Sequence, residues 1–121
     1  MSSPVWVPRI GRGTGPVALT ALAALRSPVV DFAELQDVIE RTYGDRDRER
    51  GVSATVAWLA EEIGELAQAV RKGTHEDRLH EFGDVVAWVA TLANQQGVDL
   101  NEAIERFAHG CPKCDSIPCT C

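Results

Sequence analysis

Five carboxylates are the residues of this sequence whose type and spacing could do chemistry. They are Glu61, Glu62, Glu65, Glu81 and Asp84, and they lie in two otherwise apolar helical segments within residues 59–94. Carboxylates are costly to bury unless a partner neutralises them. Two explanations are open, namely a solvated acidic face on amphipathic helices or a set of ligands for a metal cation.

The spacing of the carboxylates favours the metal site. Glu62 and Glu65 are three residues apart, as are Glu81 and Asp84, so each pair projects from one side of its helix. Because a short turn joins the two segments, an antiparallel hairpin can bring the pairs face to face. Four carboxylates so close together would raise one another's pKa values, and a hard divalent cation such as Mg²⁺ removes that conflict.

Helical periodicity recurs between residue 31 and about residue 109, and no strand signal appears. Asp31 can cap the first helix, and Thr74 with Asp77 resembles a capping box at the start of the third. The predicted helices span about 32–43, 52 or 53 to 72, 75–96 and 99–109, with the charged segment 43–51 as a loop. Four helices with short connections predict an all-α bundle.

The apolar pattern of the second and third helices predicts where the core lies. In the second helix an apolar stripe should face the core, with Glu62 and Glu65 flanking it and Glu61 pointing away. The stripe consists of Val52, Val56, Leu59, Ile63, Leu66 and Val70. The third helix is apolar on most sides. On a chain of 121 residues, this predicts that oligomerisation completes the bundle.

Composition and charge argue against several classes of function. The formal net charge is −6 and there is no basic run, so binding of nucleic acid through its phosphates is not expected. No apolar stretch approaches the roughly 20 residues that span a bilayer, so no membrane association is expected. Residues 4–30 faintly resemble a secretory signal, but Arg26 and Pro28 interrupt the apolar run. We interpret residues 1–30 as a loosely ordered extension.

All four cysteines lie in residues 111–121, in the pattern CxxC, four residues, CxC. Four thiolates, from Cys111, Cys114, Cys119 and Cys121, can complete the tetrahedral shell of a structural Zn²⁺, and His109 could replace one of them. A reduced flexible tail and disulfides are the alternatives. Secreted mini-proteins spread their cysteines through the fold, so this clustering favours a cytoplasmic protein.

Two segments carry a resemblance to a known family. They are "EEIGELAQAV" and "EFGDVVAWVATLANQQGVDLNEA", with fifteen residues between Glu65 and Glu81. They resemble the EExxE and ExxD motifs of the MazG-like all-α nucleotide pyrophosphohydrolases, over about residues 32–109, and the Cys-rich end is similar to that of one subgroup. The resemblance implies a catalytic domain at 31–109, between the extension and a tail at 110–121.

This resemblance implies hydrolysis of a nucleoside triphosphate to a monophosphate and pyrophosphate, with a role in sanitising deoxynucleotides. It makes Glu62, Glu65, Glu81 and Asp84 the ligands of Mg²⁺ or Mn²⁺. Glu61, outside that quartet, becomes the candidate to orient or deprotonate the attacking water. Relatives assemble as homodimers or dimers of dimers, so a homodimer or homotetramer is expected.

Three further residues are candidates for substrate contact. Trp88 lies one turn beyond Asp84 and could stack on the sugar or base, although a core or interface role suits it equally. Gln36 resembles a base-facing position in some relatives. Lys72 lies near the hairpin turn and could touch phosphate, with a solvated charged helix end as the alternative.

Two alternative functions remain open on the sequence. A phosphoribosyl-ATP pyrophosphohydrolase has a similar helical fold and acidic motifs. From a different class, the chain could be a non-catalytic, zinc-tailed helical interaction module. No serine or cysteine stands in a pattern with a histidine and an acid that would support a covalent mechanism.

Overall fold

The computed structural model of the protein describes residues 30–121. Within that range it is all-helical, with no strand, as predicted. The helices are α1 (Phe32–Arg50), α2 (Val52–Lys72), α3 (His75–Gln96) and α4 (Leu100–Glu105). The extension predicted over residues 1–30 lies outside the described residues, apart from residue 30.

The first helix is longer than predicted, because the segment taken as a charged loop is helical as far as Arg50. Its charges are spaced to pair along the helix: Arg48 contacts Asp45 and Arg50 contacts Asp47, each at 2.8 Å. Such pairs support a helix. Gly51 ends α1 at a φ of 81°, a conformation that favours glycine.

The α2–α3 hairpin has the predicted bounds. The N–H of Gly73 donates to the carbonyl of Ala69 at 2.8 Å, and Gly73 itself is extended rather than left-handed. Thr74 and Asp77 form the predicted capping box at the start of α3. Arg78 donates to the carbonyl of Gly73 at 2.8 Å. These bonds fix the two-residue turn that sets one helix against the other.

The buried face of α2 is not the predicted apolar stripe. Thr55, Glu62 and Ala69, each seven residues apart, are the buried residues of α2. Four members of the stripe are exposed, namely Val52, Val56, Ile63 and Val70. The prediction is therefore wrong for the single chain. α3 packs most extensively against α2, and α1 packs mainly on α3, so no helix among residues 30–121 remains to cover the stripe.

The core of the described chain is thin and half polar. Its buried apolar residues are Ile39, Ala69, Trp88, Ala90 and Ala93, and its buried polar residues are Asp47, Thr55, Glu62, Asp84 and Thr91. Large side chains such as Leu79 and Phe82 on α3 are more than half exposed. Burial on this scale gives residues 30–121 a small core, and a small core leaves a domain marginally stable on its own.

The fourth helix is shorter than the predicted 99–109. Asp99 caps its start by accepting from the N–H groups of Asn101 and Glu102, but the following residues form turns in which Phe107 donates to the carbonyl of Ile104. No residue of α4 is buried. Short helices depend on tertiary packing for stability, which explains why α4 does not continue.

Candidate metal and substrate site

The α2–α3 hairpin brings three of the four predicted metal ligands together. Glu62, Glu81 and Asp84 each offer a carboxylate oxygen, and these oxygens all lie within 4.8 Å of one another. We call these three residues the acidic cluster. Glu62 is only 1% exposed, at the centre of the packed face of α2 rather than at its edge. Glu65 is half-buried and lies outside the cluster.

The acidic cluster has buried oxygens without hydrogen-bond partners. Oε2 of Glu62 and Oε2 of Glu81 are buried without a hydrogen-bond partner of normal geometry among the described residues, although the indole of Trp88 lies near enough to Glu62 to oppose the rise of its pKa. Oδ2 of Asp84 lies 3.1 Å from Nε2 of His80, one turn earlier on α3. Orphaned buried acceptors are rare and costly in folded proteins. A donor set made only of carboxylate oxygens fits a hard divalent cation such as Mg²⁺ or Mn²⁺.

Burial and neighbouring negative charges raise the pKa values of all three carboxylates of the acidic cluster. Burial, followed by the charges of Asp84, Glu65 and Glu81, raises the pKa of Glu62 from 4.5 to about 7. Burial and the charge of Glu65 also raise the pKa of Glu81. Burial raises the pKa of Asp84, with His80 opposing it. Although outside the cluster, Glu65 therefore contributes to the field at all three carboxylates.

A polar cleft adjoins the acidic cluster. Its volume is about 500 Å³, and its lining residues are Glu65, Gln68, Ala69, Lys72, Gly73, Asp77 and Glu81. Glu81 belongs to both the cleft and the cluster, so a molecule in the cleft would lie beside the clustered carboxylates. Lys72 supplies the cleft's cationic side chain. A cleft of this size falls within the range of small-molecule sites.

Trp88 is buried by contacts within the protein. Its ring stacks on Trp58, with the centroids 6.1 Å apart and the planes at 8°. The guanidinium of Arg50 lies 4.8 Å from the centroid of Trp88 and also pairs with Asp47. Trp88 is 6% exposed and does not line the cleft. Its stacking on a nucleoside stays a prediction.

Gln36 is engaged in fixing α4 to the other helices. Its amide donates to Oδ1 of Asn94 at 2.9 Å and to the carbonyl of Val98 at 2.8 Å. Its Oε1 accepts from the N–H of Leu100 at 2.9 Å. In return, the amide of Asn94 donates to the backbone carbonyl of Gln36. These bonds give Gln36 a structural role, and its contact with a base is untested.

Glu61 is exposed. It belongs neither to the acidic cluster nor to the lining of the cleft. Its role as the group that handles the attacking water is untested.

Three residues next to the site were not singled out by the spacing argument. His80 contacts Asp84 and lies four residues before it on α3. Gln68 and Asp77 line the cleft, and Gln68 lies three residues after Glu65. Helical spacing from the proposed ligands was the signal that could have identified His80 and Gln68.

The four cysteines form a second cluster, which we call the thiol cluster. All four are free, and their Sγ atoms lie within 4.8 Å of one another. Backbone N–H groups of Lys113 and Cys114 lower the pKa of Cys111. The N–H and hydroxyl of Thr120 lower the pKa of Cys114 to about 5. The predicted substitute ligand, His109, is not a member of the cluster.

The family model of the MazG nucleotide pyrophosphohydrolase domain matches residues 50–113. The match takes in just over half of the chain, including α2, α3 and every carboxylate of the acidic cluster. The chain therefore belongs to the MazG nucleotide pyrophosphohydrolase family, which confirms the resemblance carried by the two acidic motifs. The comparison with curated proteins gave no match for this chain.

Proposed function

We propose that the protein is a Mg²⁺-dependent hydrolase that converts nucleoside or deoxynucleoside triphosphates to a monophosphate and pyrophosphate, a chemistry suited to sanitising the nucleotide pool. The observation that carries the proposal is the buried acidic cluster with its orphaned oxygens, placed beside a polar cleft. The family supports hydrolysis of a nucleotide in general, and the donor set supports the metal.

The ligands of the proposed ion are the three residues of the acidic cluster, together with Glu65. Glu65 and Glu81 both line the cleft, so an ion held by them could also meet substrate oxygens. When bound, Mg²⁺ or Mn²⁺ polarises a phosphate and lowers the pKa of a bound water. The carboxylates contribute a fixed arrangement, since two packed helices hold them in place with or without a cation.

Residues outside the quartet would orient the substrate. The ammonium of Lys72, on the wall of the cleft, would donate to phosphate oxygens, and Gln68 lies one turn before it on the same helix. Glu61 would orient or deprotonate the attacking water. Trp88 would contact the nucleoside if substrate binding moved a ring now packed against Trp58 and Arg50. Gln36 would act on the base only if its bonds to α4 were exchanged.

The exposed apolar residues of α2 and α3 support a homodimer or homotetramer. Val56, Ile63 and Val70 lie on α2, and Leu79 and Phe82 lie on α3; each is about half exposed or more. Apolar surface of this kind on a small chain typically marks an interface. A second copy would cover the stripe that the helices of residues 30–121 leave in contact with solvent.

Pyrophosphate release from a panel of ribo- and deoxynucleoside triphosphates, with and without Mg²⁺, tests the proposed function. Wild type and Glu76→Gln should turn over at least one of them only with a divalent cation, whereas Glu81→Gln should be nearly inactive. Glu76 is a matched control because it is an exposed glutamate in the first turn of α3.

The remaining outcomes of this assay separate the alternatives. Turnover confined to phosphoribosyl-ATP, included in the panel, would replace the proposed substrate class and keep the metal chemistry. No turnover of any substrate by correctly folded wild type would favour the non-catalytic interaction module. Full activity in Glu81→Gln, or full activity with a chelator present, would contradict the proposed metal site.

A further inference from the structure

The thiol cluster differs chemically from the proposed active site and takes no part in the proposed hydrolysis. Its ligand atoms are sulfur rather than oxygen, and two of its members, Cys119 and Cys121, are exposed. Soft thiolate ligands select metals such as Zn²⁺ over Mg²⁺. The question is whether the tail is arranged for a metal or merely contains four cysteines.

The distances between the sulfur atoms fit a tetrahedral tetrathiolate site. Sγ of Cys111 lies 3.7 Å from Sγ of Cys121, and the Cys114–Cys119 and Cys119–Cys121 pairs lie at 4.0 and 3.3 Å. Ligands about 2.3 Å from a central Zn²⁺ lie about 3.8 Å apart at the corners of a regular tetrahedron. These three separations fall on both sides of that value, and all four Sγ atoms lie within 4.8 Å of one another.

The backbone of the tail is folded so as to converge the four thiols. The N–H of Asp115 donates to the carbonyl of Cys111, and the N–H of Cys111 donates to the carbonyl of Ser116. Asp115 has a φ of 51° and Gly110 a φ of 129°. These tight turns bring the CxxC pair against the CxC pair.

Among residues 30–121, no apolar core stabilises this arrangement. Residues 111–121 contain neither helix nor strand, and Ile117 is 81% exposed. The preceding helix α4 is six residues long and has no buried residue. A segment this short cannot hold a compact loop through burial alone. Metal ligation can supply the missing free energy, as it does in small metal-dependent domains.

We infer that Cys111, Cys114, Cys119 and Cys121 bind one structural Zn²⁺ that orders the tail from Gly110 to Cys121. Four protein ligands fill the coordination shell and leave no position for substrate or water, so this ion takes no part in hydrolysis. The inference stands independently of the proposed function, because it uses none of the carboxylates of the acidic cluster.

Metal analysis of the purified full-length protein tests the inference. Wild type, purified without chelators, should carry about one Zn²⁺ per chain, and Glu62→Gln and the exposed-site control Lys113→Ala should carry the same amount. The double variant Cys114→Ser, Cys119→Ser should carry none. Zinc retained in the double variant, or lost in Glu62→Gln, would overturn the assignment.

Two further measurements keep the test decisive if the variant folds poorly. Co²⁺ added to reduced, metal-free wild type should produce the sulfur-to-cobalt charge-transfer absorption of a tetrahedral thiolate site, and Zn²⁺ should displace it. Hydrogen exchange should show protection of residues 110–121 only with Zn²⁺ bound. Four titratable thiols that bind neither ion would contradict the inference, as would two disulfides in protein isolated under reducing conditions.

Discussion

The acidic cluster and the thiol cluster hold their ligands by different means. The carboxylates of Glu62, Glu81 and Asp84 project from two long helices joined by a capped turn, and two of the three are buried. The thiols lie in residues 111–121, which form turns and contain no helix or strand. The carboxylates are thus held by two packed helices, whereas the thiols are held only by the turns in which they lie.

The two arrangements indicate what each proposed metal would contribute. Without a cation, the helices would still hold the carboxylates close together, and the cost of that proximity would appear as raised pKa values. Without a cation, the tail would lose the interaction that gathers its four sulfurs. We therefore expect metal at the acidic cluster to change chemistry and stability, and metal in the tail to change local order.

The largest expected effect is that of Glu62→Gln, which should separate activity from stability. The amide keeps the shape of the side chain but removes a buried charge surrounded by other carboxylates. The kcat/KM for pyrophosphate release should fall on the order of 100-fold, equivalent to about 2.7 kcal/mol. The melting temperature of the metal-free protein at neutral pH should rise, as measured by circular dichroism.

The control for Glu62→Gln is Glu76→Gln, which should change neither quantity. If Glu62→Gln kept full activity, its carboxylate would not be a ligand of the catalytic ion. If it lowered the stability of the metal-free protein, the carboxylate would have a structural partner outside the acidic cluster.

Substitution of Gln36 tests how strongly the start of α4, which precedes the tail, is held to the other helices. Gln36→Ala removes the bonds to Asn94, the carbonyl of Val98 and the N–H of Leu100. Leaving such groups unsatisfied should lower the free energy of unfolding by about 1–3 kcal/mol, measured by urea denaturation. Asp37→Ala, which breaks only an exposed pair with Arg41, should cost no more than about 1 kcal/mol.

A kinetic measurement on the same variant separates the two roles considered for Gln36. A structural role predicts a nearly unchanged KM at a temperature where the variant is folded. A selective rise in KM for some bases, with stability unchanged, would instead establish the base contact.

Substitution of Glu65 tests how much a carboxylate outside the acidic cluster contributes to activity. Because its oxygens lie outside the three-residue set, Glu65→Gln should lower kcat/KM by about 10-fold, equivalent to about 1.4 kcal/mol, less than Glu62→Gln. An equal loss would mean that Glu65 binds the ion as closely as the three residues of the acidic cluster do.

The last prediction concerns the pH dependence of stability in the metal-free protein. Because the pKa of Glu62 rises from 4.5 to about 7 on folding, the folded chain binds more protons than the unfolded chain between these values. Stability should therefore fall as pH rises from about 4.5 to about 7. The difference between wild type and Glu62→Gln, measured by thermal unfolding with chelator, isolates this contribution. A difference that did not change with pH would contradict the raised pKa.

The sequence predicted the hairpin well because its signals are local. Thr74 and Asp77 mark a helix start, Gly97 marks a helix end, and both were confirmed with their bonds. The positions of Glu62, Glu81 and Asp84 likewise follow from the helical repeat and the hairpin, which explains why the sequence predicted that these three carboxylates lie close together. Residues within one helical turn were enough to predict a helix end or the side chains that share one face of a helix.

The errors arose where the answer depends on packing between distant segments. Periodicity identified the apolar stripe of α2 but not which face α3 would cover, and the buried face contains Thr55 and Glu62 instead. The charges of residues 45–50 suggested a loop, although pairing along the helix makes them compatible with α1. The bonds of Gln36 join residues about sixty positions apart, and no local pattern reveals them.

Isothermal titration calorimetry of Mg²⁺ binding to the full-length protein near pH 8 tests whether the acidic cluster is a divalent cation site. Wild type and Glu76→Gln should bind the ion with equal affinity, with the metal in the tail unchanged. Glu62→Gln should bind it at least about 10-fold more weakly, since a ligand is lost. Equal affinity in all three proteins would contradict the claim that the buried carboxylates between α2 and α3 form a divalent cation site.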